Sequence, residues 1–376
     1  MESYLRAEIS AGAVTSNLSL LRGRLAPATK LCAVVKADCY GHGWQQLLGL
    51  IAGKADCLAV ATPEEALSIR RMGHDVPILT FFSACAYADG AELRDALDEL
   101  VAKRIMLTVV SPQEAVCVSE SAARGGQTAL VHLKVDTGMS RSGVMPDQAP
   151  QVIRRLRATP GVKLAGVYTH FANADEADKQ FAKRQLAVFM DVIEQAGGRR
   201  DFALHTANSA AVIDLPQAHL DMVRPGIAIY GYQPSDKLIN HLPLRPALRL
   251  SGSLMQVKDV PAGSSTSYGL RYTFERPSRI GLAPIGYGDG YPRCLSNRAA
   301  MKVRGKSAPV RGMICMDQVV IDLTDIPQAR AGDEVEIISN DPAAINSVEN
   351  LARLAGTIPY EITCRLGSRA RRELVD

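Results

Sequence analysis

The stretch Ala33-Val34-Val35-Lys36-Ala37-Asp38-Cys39-Tyr40-Gly41-His42-Gly43 joins an apolar, β-branched run to a lysine, a tyrosine and two glycines. The run reads as a buried strand, and the residues after it read as a turn opening onto a helix. Lysine is rarely buried without a partner. Burial lowers an ammonium's pKa, and the neutral amine that results can attack a carbonyl to form a Schiff base. Lys36 is therefore either a reactive amine or the residue that marks the solvent edge of the strand. Other polar residues follow later apolar runs: Arg141, His170, Asn208, Ser209 and Arg224. Each has an ordinary explanation when taken alone. His170 suits a hydrogen-bonded structural histidine, Ser209 a helix N-cap and Arg224 a surface charge.

The elements around these residues give them a common place. Apolar runs recur near 31–36, 57–61, 77–81, 104–110, 129–135, 163–169, 202–206 and 221–224. Amphipathic stretches separate them, such as 63–72 and 177–196, and a helix is expected over about 11–24. Eight strands alternating with helices predict an α/β fold whose N-terminal part is a (β/α)8 TIM barrel. In that architecture the active site lies at the C-terminal ends of the strands. Lys36 ends the first run, Arg141 follows the fifth and His170 ends the sixth. Asn208 and Ser209 follow the seventh, and Arg224 ends the eighth. Five strands thus send polar groups to one mouth.

The rhythm stops at the proline-rich segment 240–246. Beyond it, strands are expected at 247–260, 279–284, 300–303, 309–314, 319–323 and 334–338, with a helix only at 344–356. The expected division is a barrel over 9–240 and a C-terminal mostly-β domain over 241–376, joined by an extended piece at 1–8. Barrels often bind phosphate at the loops after strands seven and eight, using a helix N-terminus. Ser209 and the Gly226-Ile227 turn lie there, and Tyr40 and Tyr360 each offer a phenol O–H.

The lysine segment resembles that of alanine racemases, in which the lysine binds pyridoxal 5'-phosphate (PLP). The resemblance extends through Ile285-Gly286-Tyr287-Gly288-Asp289-Gly290-Tyr291-Pro292-Arg293 and Ile358-Pro359-Tyr360-Glu361-Ile362, and covers almost the whole chain. It implies a two-base interconversion of L- and D-alanine that supplies D-alanine for peptidoglycan. Lys36 and Tyr268 would be the two bases. Tyr40, His170, Asn208, Ser209, Arg224, Gly226, Ile227 and Tyr360 would contact PLP. Arg224 would face the pyridine nitrogen. An arginine stays protonated there, so the ring would be a weaker electron sink than one held by a carboxylate.

The resemblance also implies a homodimer, because Tyr268 reaches the lysine only from a second copy. Met316, in Gly312-Met313-Ile314-Cys315-Met316-Asp317-Gln318, would come from that copy and bind the substrate carboxylate together with Arg141. A phenol is a poor base at neutral pH, and Arg141 and His170 are the cations expected to improve it. Lys134 is a carbamylation candidate in the family, and a Lys134–Asp salt bridge is the alternative. Asp175, Tyr287, Ile358 and Tyr360 would narrow the substrate corridor. Two departures stand out. Met313 occupies a position where a number of relatives carry arginine, and Cys39 replaces the usual alanine. Cys39 could tune packing or confer thiol sensitivity.

Composition excludes other classes. With 376 residues, 47% apolar and 22% charged, the chain suits a globular protein of one large or two ordinary domains. The net charge of +4 includes no Lys/Arg block of the kind that binds nucleic acid. No apolar run approaches a membrane span, and residues 1–6 lack a signal-peptide core. The eight cysteines form no C-x-x-C pair, so no metal site is expected, and thiols reduced in a cytoplasm fit better than disulfides. The glycine run at 286–290 lacks the spacing of a dinucleotide fingerprint. Three other functions remain open: a serine or broader-specificity racemase, an amino-acid decarboxylase, and a non-enzymatic PLP-binding barrel. Arg224 disfavours the decarboxylase. The 240–376 segment with Tyr268 disfavours the non-enzymatic barrel.

Overall fold

The structure is a computed structural model that describes residues 4–83, 85, 90–198 and 201–376. Strand β1 (Leu5–Ser10) and helix α1 (Ala11–Arg22) precede eight strands: β2 (Lys30–Val34), β3 (Cys57–Val60), β4 (Ile78–Ser83), β5 (Met106–Val109), β6 (Ala129–Lys134), β7 (Val162–Tyr168), β8 (Ala203–His205) and β9 (Met222–Val223). They form one parallel sheet in the order β8-β7-β6-β5-β4-β3-β2-β9. The sheet closes on itself. Asp221 N–H donates to the Leu204 carbonyl at 3.0 Å, and Arg224 N–H donates to that of Ala207 at 2.8 Å. Every residue of β3 is buried, as a parallel strand covered on both sides requires.

The intervening segments are α2 (Lys36–Tyr40), α3 (Trp44–Ala52), α4 (Pro63–Arg71), α5 (Gly90–Ala102), α6 (Pro112–Gly125), α7 (Ala149–Ala158), α8 (Gln180–Gln195) and α9 (Ser209–Asp214). Their sequences explain their limits. Thr62 caps α4, Pro63 occupies its first turn and Glu65 closes a capping box. In α8 the buried face runs through Ala182, Gln185, Phe189, Val192 and Ile193, which is helical spacing. Burying a side chain such as Phe189 stabilises the fold by roughly 1.5–3 kcal/mol. Among the described residues no helix is long and apolar enough to cross a membrane.

After residue 247 the structure is mostly β. Strands β10 (Leu248–Ser253), β11 (Gln256–Val260), β12 (Ser265–Thr266), β13 (Tyr272–Thr273), β14 (Ser278–Ala283), β15 (Ala300–Val303), β16 (Lys306–Pro309), β17 (Val319–Asp322), β18 (Glu334–Ile338) and β19 (Arg371–Val375) form three sheets. The largest has the order β16-β15-β18-β10-β1-β19, so both ends of the described chain lie in one sheet.

Four expectations need correction here. The single strand expected over 247–260 is two. Leu254 N–H turns to the Asp333 carbonyl and Met255 N–H to that of Leu282, so the chain changes sheets between β10 and β11. The strand expected at 309–314 lies earlier, at β16. Arg304 and Gly305 both have positive φ and make a two-residue hairpin, while Gly312 at φ +77° turns the chain away. A second helix, α11 (Pro359–Cys364), follows α10 (Val348–Ala355), because left-handed Gly356 ends one and Pro359 opens the other. Finally, β19 has no counterpart among the expected strands.

Candidate active site

The barrel mouth holds a cavity of about 710 Å³. Lys36, Tyr40, Lys134, Arg141, His170, Asn208, Ser209, Arg224, Gly226, Ile227 and Tyr360 all line it. The expected convergence of strand ends therefore occurs in space.

Lys36 starts α2, and what aims it is unusual. Ala37, Asp38, Cys39 and Tyr40 all have φ between +51° and +56°, so the segment is one left-handed turn built without glycine. Such a turn costs on the order of 1–2 kcal/mol per residue, so surrounding contacts must hold it. Burial, followed by the charge of Arg141, lowers the pKa of the Lys36 amine. That is the condition under which a lysine becomes a nucleophile. Cys39 is fully buried, which fits the packing role and leaves no exposed thiol at that position.

Arg224 is 3% exposed, and its protein partners are neutral. One terminal nitrogen, Nη1, donates to His205 Nδ1 at 2.9 Å. The other, Nη2, donates to the Thr169 carbonyl at 2.8 Å and the Thr206 carbonyl at 3.2 Å, and contacts His170 Nδ1 at 3.4 Å. Arginine only donates, so His205 must carry its proton on Nε2 and pass a hydrogen bond to His132 Nδ1, 2.8 Å away. The His132 proton then sits on Nε2, a buried atom with no partner among the described residues. Burial and the Arg224 charge hold both histidines below their ordinary pKa, His132 pushed down to about 3. Burial pushes Arg224 itself down to about 10, so it stays cationic at neutral pH. Its Nε–H and the second N–H of Nη1 have no hydrogen bond among the described residues, and Arg224 lines the cavity. The ring of Tyr168 lies under the guanidinium at 5.1 Å, with Lys134 Nζ 5.9 Å from the same ring.

His170 departs from expectation. Burial first, then Arg224 and Arg141, lower its pKa well below the ordinary value, so it is neutral and supplies no cation to a phenol. Ser209 also departs from it. Asn208 is the N-cap of α9, accepting from Ala211 N–H at 3.0 Å, and Ser209 is the first helical residue. Its hydroxyl is thereby freed to accept from Gly226 N–H at 2.8 Å and Ala228 N–H at 3.5 Å. Gly226 is required here, since a Cβ would lie 2.3 Å from the Tyr40 hydroxyl. Burial raises the pKa of Tyr40, and burial followed by Asp175 raises that of Tyr360, so both phenols keep the proton they can donate.

Lys134 is buried with no ion pair among the described residues. The expected Lys134–Asp bridge does not form, because the neighbouring Asp136 accepts the N–H groups of Gly138, Met139, Ser140 and Arg141 at 2.9–3.0 Å. That loop presents Arg141. Burial, then Arg141 and Arg224, push Lys134 down to about 8. Lys36, Lys134, Arg141 and Arg224 thus surround a cavity whose acid, among the described residues, is Glu114, itself pushed toward its neutral form by burial. Basic side chains therefore outnumber acidic ones around the mouth, which favours a negatively charged ligand.

Residues 9–234 match the family model for the alanine racemase N-terminal domain, and 247–374 match that for the C-terminal domain. The chain belongs to the alanine racemase family. It is 40% identical to the alanine racemase of Halothermothrix orenii, over 98% of this chain and 96% of the relative. The solved alanine racemase from Streptomyces lavendulae aligns at a TM-score of 0.91 with 37% identity, over 100% of this chain and 98% of that one. The biosynthetic alanine racemase from Pseudomonas aeruginosa aligns at 0.86 with 33% identity, over 100% of both chains.

The remaining racemase-like residues lie elsewhere on this chain. Ser267, Tyr268, Cys315, Met316, Asp317 and Gln318 line a separate surface hollow of about 440 Å³. Tyr268 is 72% exposed, Leu270 68% and Met316 52%. Tyr287 joins this face, since its N–H bonds the Cys315 carbonyl and that of Gly288 bonds Met316. Met313 is half-buried, and its carbonyl accepts from the Ser267 hydroxyl. The expected corridor is therefore split. Asp175 acts on Tyr360 at the mouth, Ile358 precedes α11, and Tyr287 belongs to the β face.

Sequence reasoning missed Tyr168, His132, His205 and Glu65. The first three sit in barrel strands, where a buried polar side chain is itself a signal. The last was hidden by its ordinary role in a capping box.

Proposed function

We propose that this protein interconverts L- and D-alanine with PLP held in the barrel mouth, in sites shared by two copies of the chain. The observation that carries this is the uncompensated cationic mouth around a pKa-lowered Lys36. The residues suit each part of the cofactor. Lys36 would hold its carbonyl carbon covalently. The hydroxyls of Tyr40, Ser209 and Tyr360, with the backbone at Gly226 and Ile227, would hold its phosphate. Asn208 and His170 line the same wall. The unpartnered Nε of Arg224 would donate to its ring nitrogen.

When bound, PLP withdraws electrons from the amino acid's Cα and makes its hydrogen acidic. Arg224 donates a hydrogen bond without surrendering a proton, and this limits the withdrawal so that return of the proton to Cα is favoured over side reactions. Arg141, with the backbone at Met316 of a second copy, binds the substrate carboxylate. Lys36 Nζ, released once the substrate amine takes its place on the carbonyl carbon, would exchange the proton on one face of Cα, and the Tyr268 hydroxyl of the second copy would exchange it on the other. Lys134, as a neutral amine, adds carbon dioxide and releases a proton. The carbamate anion then holds Arg141. Asp175, Ile358 and Tyr360 of one copy and Tyr287 of the second would form the corridor, whose two tyrosines favour a small side chain. The product would supply D-alanine for peptidoglycan, made in the cytoplasm.

The test is incubation with PLP and each L-amino acid in deuterated water, measuring enantiomer ratio and deuterium at Cα. L-alanine should reach an equal mixture with deuterium in both enantiomers. Faster turnover of serine would favour a broader racemase, release of carbon dioxide a decarboxylase, and no exchange a non-enzymatic barrel.

A further inference from the structure

The left-handed turn that aims Lys36 is gripped from two sides by charged residues outside the cavity. At its start, Glu65 Oε1 accepts from Ala37 N–H at 2.7 Å. The other oxygen of that carboxylate, Oε2, accepts from Ala61 N–H at 2.7 Å and Thr62 N–H at 3.4 Å, as part of the α4 capping box. At the end of the turn, Arg372 on β19 donates from Nε to the Gly41 carbonyl at 2.8 Å. Its Nη2 donates to the Leu366 carbonyl at 2.9 Å, and its Nη1 to those of Ala370 at 3.2 Å and Gly367 at 3.3 Å. Gly41 permits this closeness, for a Cβ there would sit 2.1 Å from the Thr363 carbonyl of α11.

We infer that Glu65 and Arg372 are positioning residues for Lys36. Glu65 fixes the entry of the turn from the barrel, and Arg372 fixes its exit from the C-terminal sheet. Together they set where the lysine amine points. This rests on Lys36 being the residue that carries the cofactor. The competing account is that Glu65 only caps α4 and Arg372 only joins the two parts of the chain. Chemistry separates the two accounts at Glu65. A carboxylate offers acceptor oxygens on both edges, whereas glutamine offers one acceptor and one N–H2 donor. Glu65→Gln therefore cannot serve Ala37 and the Ala61-Thr62 pair together. Thr62→Ala weakens the same cap but leaves Oε1 on Ala37.

The experiment strips PLP from full-length wild type, T62A, E65Q, R372M and K36A, then adds PLP back. It follows covalent capture by borohydride trapping with peptide mass analysis, and it measures kcat and KM for alanine. E65Q and R372M should capture PLP on residue 36 on the order of ten- to a hundred-fold more slowly than T62A, with kcat falling and KM little changed. Capture by E65Q at the T62A rate overturns the role of Glu65, and the same result for R372M overturns that of Arg372. Covalent capture in K36A at another lysine instead refutes the reading of Lys36. Should a variant not fold, amide exchange in the wild type decides. Slow exchange at Ala37 supports the clamp, and exchange at the rate of an open loop refutes it.

Discussion

The barrel mouth and the Tyr268 face, the two hollows that the proposed function joins, are built by opposite rules. At the mouth several groups are held by contacts within the chain. Arg224 is sealed under neutral partners, Ser209 is tied to Gly226, and Lys36 leads a turn held by hydrogen bonds. On the other face Tyr268, Leu270 and Met316 stand in solvent. Large apolar side chains clustered at a surface mark a site of association. The difference teaches that the mouth is assembled by contacts within one copy, whereas the Tyr268 face is left open to association.

Four changes test that contrast, from the largest effect down. Lys36→Ala should remove covalent PLP and lower racemisation by at least about a thousand-fold. Mass analysis after borohydride reduction checks it, and PLP still fixed on the peptide that spans position 36 would refute the assignment. Tyr268→Phe should slow proton exchange in one direction by about 10²–10⁴-fold and the other far less. Equal small losses in both directions would defeat the two-base scheme. Leu270→Asp should shift the protein toward monomer in sedimentation, and activity should fall on dilution while Lys36 still captures PLP. A fully active monomer would break the contrast itself. The smallest effect concerns Lys134. Carbon dioxide adds only to the neutral amine, whose share grows as pH rises through the value of about 8 to which burial pushes this lysine. A 13C carbamate signal from labelled bicarbonate should therefore strengthen between about pH 7 and 9. A flat, absent signal over that range would remove carbamylation from the scheme.

The barrel was legible because parallel strands buried on both faces leave continuous apolar runs, as at Cys57–Val60. The second part was less legible. The swap of sheets at Leu254 and the hairpin at Arg304-Gly305 depend on pairing partners distant in sequence. Helix α11 was missed although Gly356 and Pro359 flag the end of one helix and the start of the next. At the site, types and spacing pointed to Lys36, Arg141 and Arg224, but not to their states. His170 is an ordinary titratable group on paper and a neutral one once buried beside Arg224. Ser209 looked like a cap, whereas Asn208 does the capping.

What the sequence by itself determined is the set of strand ends, the residues carried on them and the family they belong to, because periodicity and local motifs are written along the chain. Only the tertiary structure decided which groups are buried, which N–H groups of Arg224 are already taken, and that Glu65 serves two elements at once. Those properties come from burial and from neighbours far apart in number, and a linear string does not record either.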